Sequence, residues 1–337
     1  VTRVGEDGPV HLSDDLFGHR VALRHRIGER DGRPLYSDAV GELAADGDGL
    51  VVTTRSGPVR VARAAVVAVR AVPPAPPRRA SLTAVTRLEN LCADAWPAQV
   101  DEPLGAWRLR AAAGWTGRAN SALVVGDPGM PVPAALDVVR EFAARHGIEP
   151  RVQVPTRSPW DRAVEASGWV LDADRAAGAD VAVLVTDLTD ARTPRLARTE
   201  TPTRGVVGLA GRAGAAWWGV VLGGAPSVAQ RGVLDPGGAL PTVFALARGV
   251  DGVALGGLRG AAVEDHLHVS MLEVDPGARR AGLATALLTA VARWGHERGA
   301  RWGVLQVALQ NDGARELYER LGWVEHHRYR FVMPPPG

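Results

Sequence analysis

The sequence predicts a mixed α/β fold of the α+β type, present in two related copies and preceded by a small all-β unit. Three observations predict it. The first 72 residues hold short, valine-rich segments divided by turn clusters, a proline-rich run follows them, and beyond it helices and strands alternate in an order that occurs twice.

Within residues 1–72, the segments 20–27, 39–45, 50–55 and 59–72 tend to alternate apolar and polar side chains. Asp31-Gly32 and Asp46-Gly47-Asp48-Gly49 separate them with residues suited to tight turns. Short strands in that number predict a small barrel. Proline lacks the amide donor a ladder needs, so 73–80, which opens Pro73-Pro74-Ala75-Pro76-Pro77, is expected to be a stiff linker and a domain boundary.

Residues 81–190 are expected to form a first mixed lobe. A helix near 84–96 leads to a strand over 106–112, and a helix over 133–146 ends at Gly147, a suitable C-cap. A strand (151–154), a helix (161–167) and the stop Gly168-Trp169 follow. The same order returns in 239–337: a helix over 283–298 ending at Gly299, a strand (303–307), a helix (314–321) and the stop Gly322-Trp323. Val152-Gln153-Val154 and Leu305-Gln306-Val307 then occupy matching positions of two diverged copies. Residues 191–238, rich in Thr, Pro, Gly and Arg around one apolar island at 215–222, are expected to connect the halves while packing one helix or strand.

Composition narrows the function classes. No apolar run approaches the roughly 18 residues of a membrane span, and the N-terminus carries no export-signal pattern, so a cytoplasmic location and no membrane partner are expected. Cys92 is the single cysteine, which excludes an intrachain disulfide and a cysteine-built zinc site; no metal is expected. All 39 basic residues are arginine, a bias of GC-rich coding that points to an actinobacterial source. The formal net charge is only +2 and arginines alternate with carboxylates, so the concentrated basic face of a nucleic-acid binder is missing.

Chemistry concentrates in 266–288. An apolar strand ends at Val274, the run Asp275-Pro276-Gly277-Ala278-Arg279-Arg280-Ala281-Gly282-Leu283-Ala284 follows, and an apolar-periodic helix begins. Small residues at 281, 282 and 284 let a large anion approach the backbone, and a helix start supplies unpaired amides and a favourable dipole. Such a turn is suited to cradle a pyrophosphate; the alternative is an ordinary strand-to-helix connection with a solvated arginine pair. A dinucleotide-binding GxGxxG turn is missing, and a P-loop needs a lysine that this chain does not have.

Val274-Asp275-Pro276, then Arg279 to Ala284 as RxxGxA, resembles the central acyl-CoA-binding motif of the GNAT superfamily of N-acetyltransferases. Asn311, Ala314, Leu317-Tyr318 and Gly322-Trp323 are similar to the pattern NxxAxxLYxxxGF that follows it in the family, with Trp for Phe. The resemblance implies a GNAT mixed-sheet fold in 239–337, with 243–247 and 253–258 as antiparallel strands before 266–274. It makes 81–190 a degenerate GNAT-like lobe, since that copy lacks the cradle and a counterpart of Tyr318. Asn120, in the turn of that copy, reads equally well as a turn cap. With the β unit included, the chain resembles actinobacterial GNAT proteins with an N-terminal SH3-like domain, some described as histone-acetyltransferase-like.

The resemblance also implies roles. Acetyl-CoA would be the co-substrate and a primary amine, on a small molecule, peptide or protein, the acceptor. Backbone groups of Leu272 and Val274 would pair with the pantetheine arm, amides around Arg279, Arg280, Ala281, Gly282, Leu283, Ala284 and Thr285 would hold the pyrophosphate, and Asn311 would anchor the cofactor. Tyr318 would protonate the departing thiolate. Peptide-terminal relatives often carry glutamate five residues before the asparagine, where this chain has Gln306, which cannot take a proton. The candidate bases are Glu273, His268 or a water chain to bulk, and strand alternation is expected to put the two side chains on opposite faces. Two other readings are a tandem GNAT of small-thiol biosynthesis, similar to mycothiol synthase, and a non-catalytic acyl-CoA-sensing or peptide-binding module.

Overall fold

The computed structural model describes residues 12–13, 16–54, 57–72, 80–189, 206–238 and 240–335. The chain divides into two units, Val1–Arg78 and Arg79–Gly337. Most of the proline-rich run expected as a linker lies outside the described residues.

The first unit is an antiparallel sheet of β1 (Arg20–Arg30), β2 (Arg33–Asp46), β3 (Gly49–Thr54), β4 (Gly57–Ala62) and β5 (Val66–Ala71), in the order β4-β3-β2-β1-β5. The predicted turns close two of its hairpins, since Arg30 pairs with Arg33 and Asp46 with Gly49. Val21, Leu23, Ala39, Leu43, Leu50 and Val52 fill its core. No pairing of β4 with β5 occurs among the described residues, so the expected barrel is found as an open sheet.

The second unit runs α1 (Leu82–Ala95), β6 (Val100–Leu104), β7 (Trp107–Ala111), β8 (Ser121–Leu123), α2 (Val132–His146), β9 (Val152–Pro155), α3 (Pro159–Ala166), β10 (Val170–Leu171) and β11 (Asp180–Asp187). It continues with β12 (Val206–Ala210), α4 (Ala215–Leu222), α5 (Val228–Leu234), β13 (Thr242–Arg248), β14 (Ala254–Val263), β15 (His266–Val274), α6 (Leu283–His296), β16 (Trp302–Ala308), α7 (Asp312–Arg320) and β17 (Val324–Met333). Helix ends follow the sequence. Ser81 and Ser158 accept from the amides three residues on, and Gly147 closes α2 in the left-handed conformation.

One sheet holds all its described strands, in the order β12-β13-β14-β15-β16-β11-β17-β9-β8-β7-β6, with β10 attached to β17. Only β15–β16 and β8–β9 are parallel, so each lobe contributes one parallel pair to a sheet that is otherwise antiparallel. At the centre the lobes interleave. β11, which follows the first lobe's helices, pairs with the second lobe's β16, while the C-terminal β17 pairs with the first lobe's β9. The described part of the stretch expected to connect the halves is integral to the second lobe: β12 pairs with β13, and α4 packs on β14.

The two faces of the second lobe differ. On one, Leu287, Val291 and Trp294 of α6 pack on Leu267, Val269 and Leu305, with Tyr318 and Trp323 in the same cluster. A Cβ on Gly260 would come within 2.6 Å of Val291, and one on Gly295 within 3.0 Å of Leu267, so both glycines are needed for α6 to lie this close. On the other face Trp96, Trp217, Trp218, Val221 and Phe244 form a second cluster with Trp115 and Met271 at its margin. Burying three indoles contributes several kcal/mol at about 25 cal/mol per Å².

Candidate active site

The site begins where β15 leaves β16. Their parallel ladder runs from His266↔Trp302 to Val269↔Leu305 and stops, although β15 continues to Val274 and β16 to Ala308. The parting coincides with a bulge. Gly257 stands opposite Glu273 and Arg259 opposite Ser270, so Met271 and Leu272 face the single residue Leu258, and Met271 takes φ 56°. The extra residue shifts the alternation. His268, Ser270 and Glu273 all face the α4 side, while Leu272 and Val274 face α6. The expectation of opposite faces for His268 and Glu273 is thereby corrected; an even alternation takes no account of an inserted residue.

Beyond Val274 the chain forms the turn that the sequence singles out. Asp275 accepts from the Gly277 amide at 2.8 Å, closing a 3₁₀ turn over Pro276–Ala278, and Arg279 donates to the Val274 carbonyl at 3.3 Å. Arg280 and Gly282 take positive φ, 63° and 77°, and Gly282 is the N-cap of α6 with no side chain capping it. The first α6 amide to find a carbonyl one turn back is Ala286, 3.0 Å from the Gly282 oxygen, which leaves Leu283, Ala284 and Thr285 as free first-turn donors. A Cβ on Gly282 would meet nothing within 4 Å. Open space, outward amides and the positive end of a 14-residue helix therefore coincide at Arg280 to Thr285. Beside the turn lies a cavity of about 550 Å³ lined by Glu273, Val274, Asp275, Arg279 and the α4 residues Gly219 and Val220.

Helix α7 brings Tyr318 into the same core cluster as Leu283 and Leu287 of α6. Asn311 caps α7, its side-chain oxygen accepting from the Ala314 amide at 3.2 Å, so that oxygen is committed to the helix. Tyr318 is 7 % exposed and packs edge-on against Trp323 at 6.0 Å between ring centroids. Burial, with the Glu273 charge nearby, pushes its hydroxyl up to about 12, so it remains a protonated phenol at neutral pH. Partial burial raises the Glu273 carboxyl above its ordinary value, and Arg279 opposes the rise.

His268 is 1 % exposed and neither ring nitrogen has a hydrogen-bond partner. Gln306 lies beside it, outside good hydrogen-bond geometry, and gives its side-chain oxygen to Arg118 at 2.7 Å. Burial first, then the positive charges of Arg118 and Arg259, hold the imidazole well below its ordinary value and therefore neutral. Asn120 is a turn cap: its oxygen accepts from the amides of Ala112 and Gly114, and its amide donates to Thr116.

Sequence reasoning passed over Arg118, Arg259 and Ser270. A lone arginine in an apolar strand, as in Leu258-Arg259-Gly260-Ala261-Ala262, was the available signal, because a buried guanidinium needs a reason. Among the described residues no group of three or more His, Cys, Asp or Glu could hold a metal ion, and no helix is long and apolar enough to cross a membrane.

Comparisons with known proteins agree with this geometry. Residues 82–332 match a family model described as the probable histone acetyltransferase Rv0428c C-terminal, and residues 16–70 one described as the Rv0428c N-terminal Sm-like domain. The "Probable histone acetyltransferase Rv0428c" of Mycobacterium tuberculosis is 29 % identical over 324 residues, 94 % of this chain and 95 % of that protein. Among solved structures, a GCN5-related N-acetyltransferase from Kribbella flavida superposes with a TM-score of 0.56 at 18 % identity, covering 75 % of this chain and 96 % of its own. A tandem GNAT protein from the clavulanic acid biosynthesis pathway superposes with a TM-score of 0.50 at 16 % identity, covering 78 % and 88 %. The likeness to both structures is one of fold. Family matches across both units show that the chain belongs to the Rv0428c acetyltransferase family, with a GNAT fold that follows an N-terminal Sm-like domain in the sequence.

Proposed function

We propose that the protein is an N-acetyltransferase that moves an acetyl group from acetyl-CoA to a primary amine in one direct step. The observation that carries this reading is the cleft itself. A parted parallel pair, an uncapped helix start suited to an anion, and a buried tyrosine that packs in the same core cluster and feels the Glu273 charge support it. The cradle fits the proposed group: its space is open where a pyrophosphate would lie, and the amides of Leu283 to Thr285 are available to it. Leu272 and Val274 lie past the end of the parallel ladder, so their backbone groups are suited to pairing with the pantetheine arm as a strand would. Asn311 would hold the arm through its side-chain amide, since its oxygen caps α7.

Acetyl-CoA supplies a thioester, and the amine nitrogen attacks its carbonyl carbon as the C–S bond breaks. Tyr318 gives its proton to the sulfur, for which a buried, fully protonated phenol is suited. The ammonium proton must leave before attack. Glu273 serves as the base: it faces the α4 side, lines the cavity, and its raised carboxyl is a better proton acceptor than an ordinary glutamate. His268 is a weaker candidate, because an imidazole held neutral by burial and two guanidiniums is a poor proton acceptor.

Release of thiol from acetyl-CoA over a panel of primary amines and peptides tests the reading. Amine-dependent release that falls on Tyr318→Phe supports it; acetyl-CoA binding with no release on any amine would make the protein a sensor.

A further inference from the structure

The face of the sheet opposite α6 contains a polar cluster that the transfer step does not use. Arg259 is completely buried; its Nε donates to the Leu234 carbonyl at 2.7 Å and one Nη to the Ala95 carbonyl at 3.0 Å, while the other Nη has no partner. Ser270, directly opposite it on β15, has an unpartnered hydroxyl, and both nitrogens of His268 are unpartnered. Arg118 comes from the first lobe to the same place. Its guanidinium lies 4.1 Å from the centroid of the Trp96 ring, that of Arg259 lies 5.6 Å from it, and Trp115 stacks on Trp96 at 5.9 Å. Arg118, Trp115 and Gln306 are half-buried, so the cluster has a rim as well as a buried floor.

Among the described residues no carboxylate is paired with either guanidinium. Glu89, whose charge reaches Arg118 through space, is held by His327 at 2.7 Å and Gln153 at 2.6 Å. Asp235 attracts Arg259 through space, but one oxygen is held by Arg212 at 3.3 Å and by the Ala213 amide. The first lobe provides an internal contrast. There Arg110 and Ser121 also face each other across antiparallel strands, and Arg110 donates to the Ser121 hydroxyl at 3.0 Å, to its carbonyl and to Gln153, so that pair is closed. In the second lobe the corresponding arrangement of arginine, serine and glutamine is open. Buried charges without counter-ions and buried donors without acceptors are costly unless a ligand completes them.

We propose that Arg118 and Arg259, with Ser270 and His268 beside them, bind a carboxylate carried by the acceptor, so that the substrate is an amine bearing a carboxyl group. Two guanidiniums set against a tryptophan pair offer forked donors to a planar anion, and the neutral imidazole and the hydroxyl supply further hydrogen bonds. Ser270 and Glu273 share the α4 face of β15, so an amine attached to the bound carboxylate is directed towards the proposed base. The assignment rests on the acetyltransferase reading, which names the reaction but not the acceptor.

The test uses the full chain and matched amines that differ only as carboxylate or carboxamide: glycine and glycinamide, β-alanine and its amide, 4-aminobutyrate and its amide, and 4-(aminomethyl)benzoate and its amide. Affinity is measured by calorimetry on the CoA-saturated protein and turnover by thiol release, alongside a separate acetyl-CoA titration. In at least one pair the carboxylate is expected to bind or react more than tenfold better, and Arg118→Gln is expected to bring that ratio towards one with acetyl-CoA affinity unchanged. Arg118 is the variant of choice because it is only partly buried, whereas Arg259 is completely buried; Ser270→Ala, expected to reduce the ratio less, is the second. Equal use of both members of every pair, a preference that survives Arg118→Gln, or no binding by any carboxylate to a protein that binds acetyl-CoA would overturn the proposal. Failure to bind acetyl-CoA would instead remove the reading beneath it.

Discussion

Glu273 and His268 share one face of β15 although five positions separate them, because the Met271 bulge inserts one residue between the points where Gly257 and Arg259 pair. The same bulge lies where the strand leaves β16. One local irregularity thus opens the cleft and turns a carboxylate into it.

Replacing Glu273 by Gln is expected to lower the rate by about 10²-fold, within the usual contribution of a positioned base. With the raised carboxyl as base, activity rises as pH climbs through its titration and levels off above it. Glu273→Gln should remove that acid limb. A pH–rate profile of both proteins checks this, and an unchanged limb in the variant would assign the base elsewhere.

Tyr318→Phe should reduce turnover by about 10²- to 10⁴-fold and leave acetyl-CoA affinity nearly unaltered, because the hydroxyl acts as the sulfur departs. A phenol pushed up to about 12 also predicts no loss of activity from its ionisation below pH 10. Loss of binding in parallel with turnover would make the residue a packing element of the core.

Stability should fall as pH drops below about 6.5, the ordinary histidine value. His268 is held neutral in the folded chain, so the unfolded chain binds the additional proton and protonation favours unfolding. The slope attributable to this imidazole is about 1.4 kcal/mol per pH unit until its folded-state value is reached. His268→Phe should flatten the denaturant midpoint between pH 6.5 and 5; an equally steep decline in the variant would contradict the assignment.

Glu89→Ala should destabilise the second unit by roughly 2–4 kcal/mol. Glu89 is 1 % exposed and joins α1 to β17 through His327 and to β9 through Gln153, which in turn accepts from Arg110. Removing it leaves the Gln153 amide and the His327 ring nitrogen without their partner. Chemical denaturation checks the magnitude, and a change below about 0.5 kcal/mol would mean the network is solvated.

The strand–turn–helix at Val274 to Leu283 and α7 were legible because their pattern is local: a strand, a small-residue turn and a helix start are consecutive, and Asn311 to Trp323 span little more than one helix. The repeated lobes were visible through Gly147, Gly299 and the two Gly-Trp stops. The interleaving of β11 and β17 was not, because strand partners distant in sequence leave no periodic trace. Nor did composition show that 206–234 build a strand and two helices of the second lobe; the apolar island at 215–222 resembles a buried segment of either kind. The Arg259 cluster escaped for the same reason as the bulge. Its members, Trp96, Arg118, Arg259 and His268, meet only after both lobes have folded.

Calorimetric titration of acetyl-CoA into the wild-type chain and Gly282→Glu tests the central claim most directly. The variant places a carboxylate in the open space before α6, and Gly282→Ala serves as the control for the strain of a side chain at φ 77°. Micromolar or tighter binding by wild type, weakened modestly in the alanine variant and by more than about 100-fold in the glutamate variant, is the predicted result. Equal binding by all three, or no binding by the wild-type chain, would contradict a cofactor cradle at this turn.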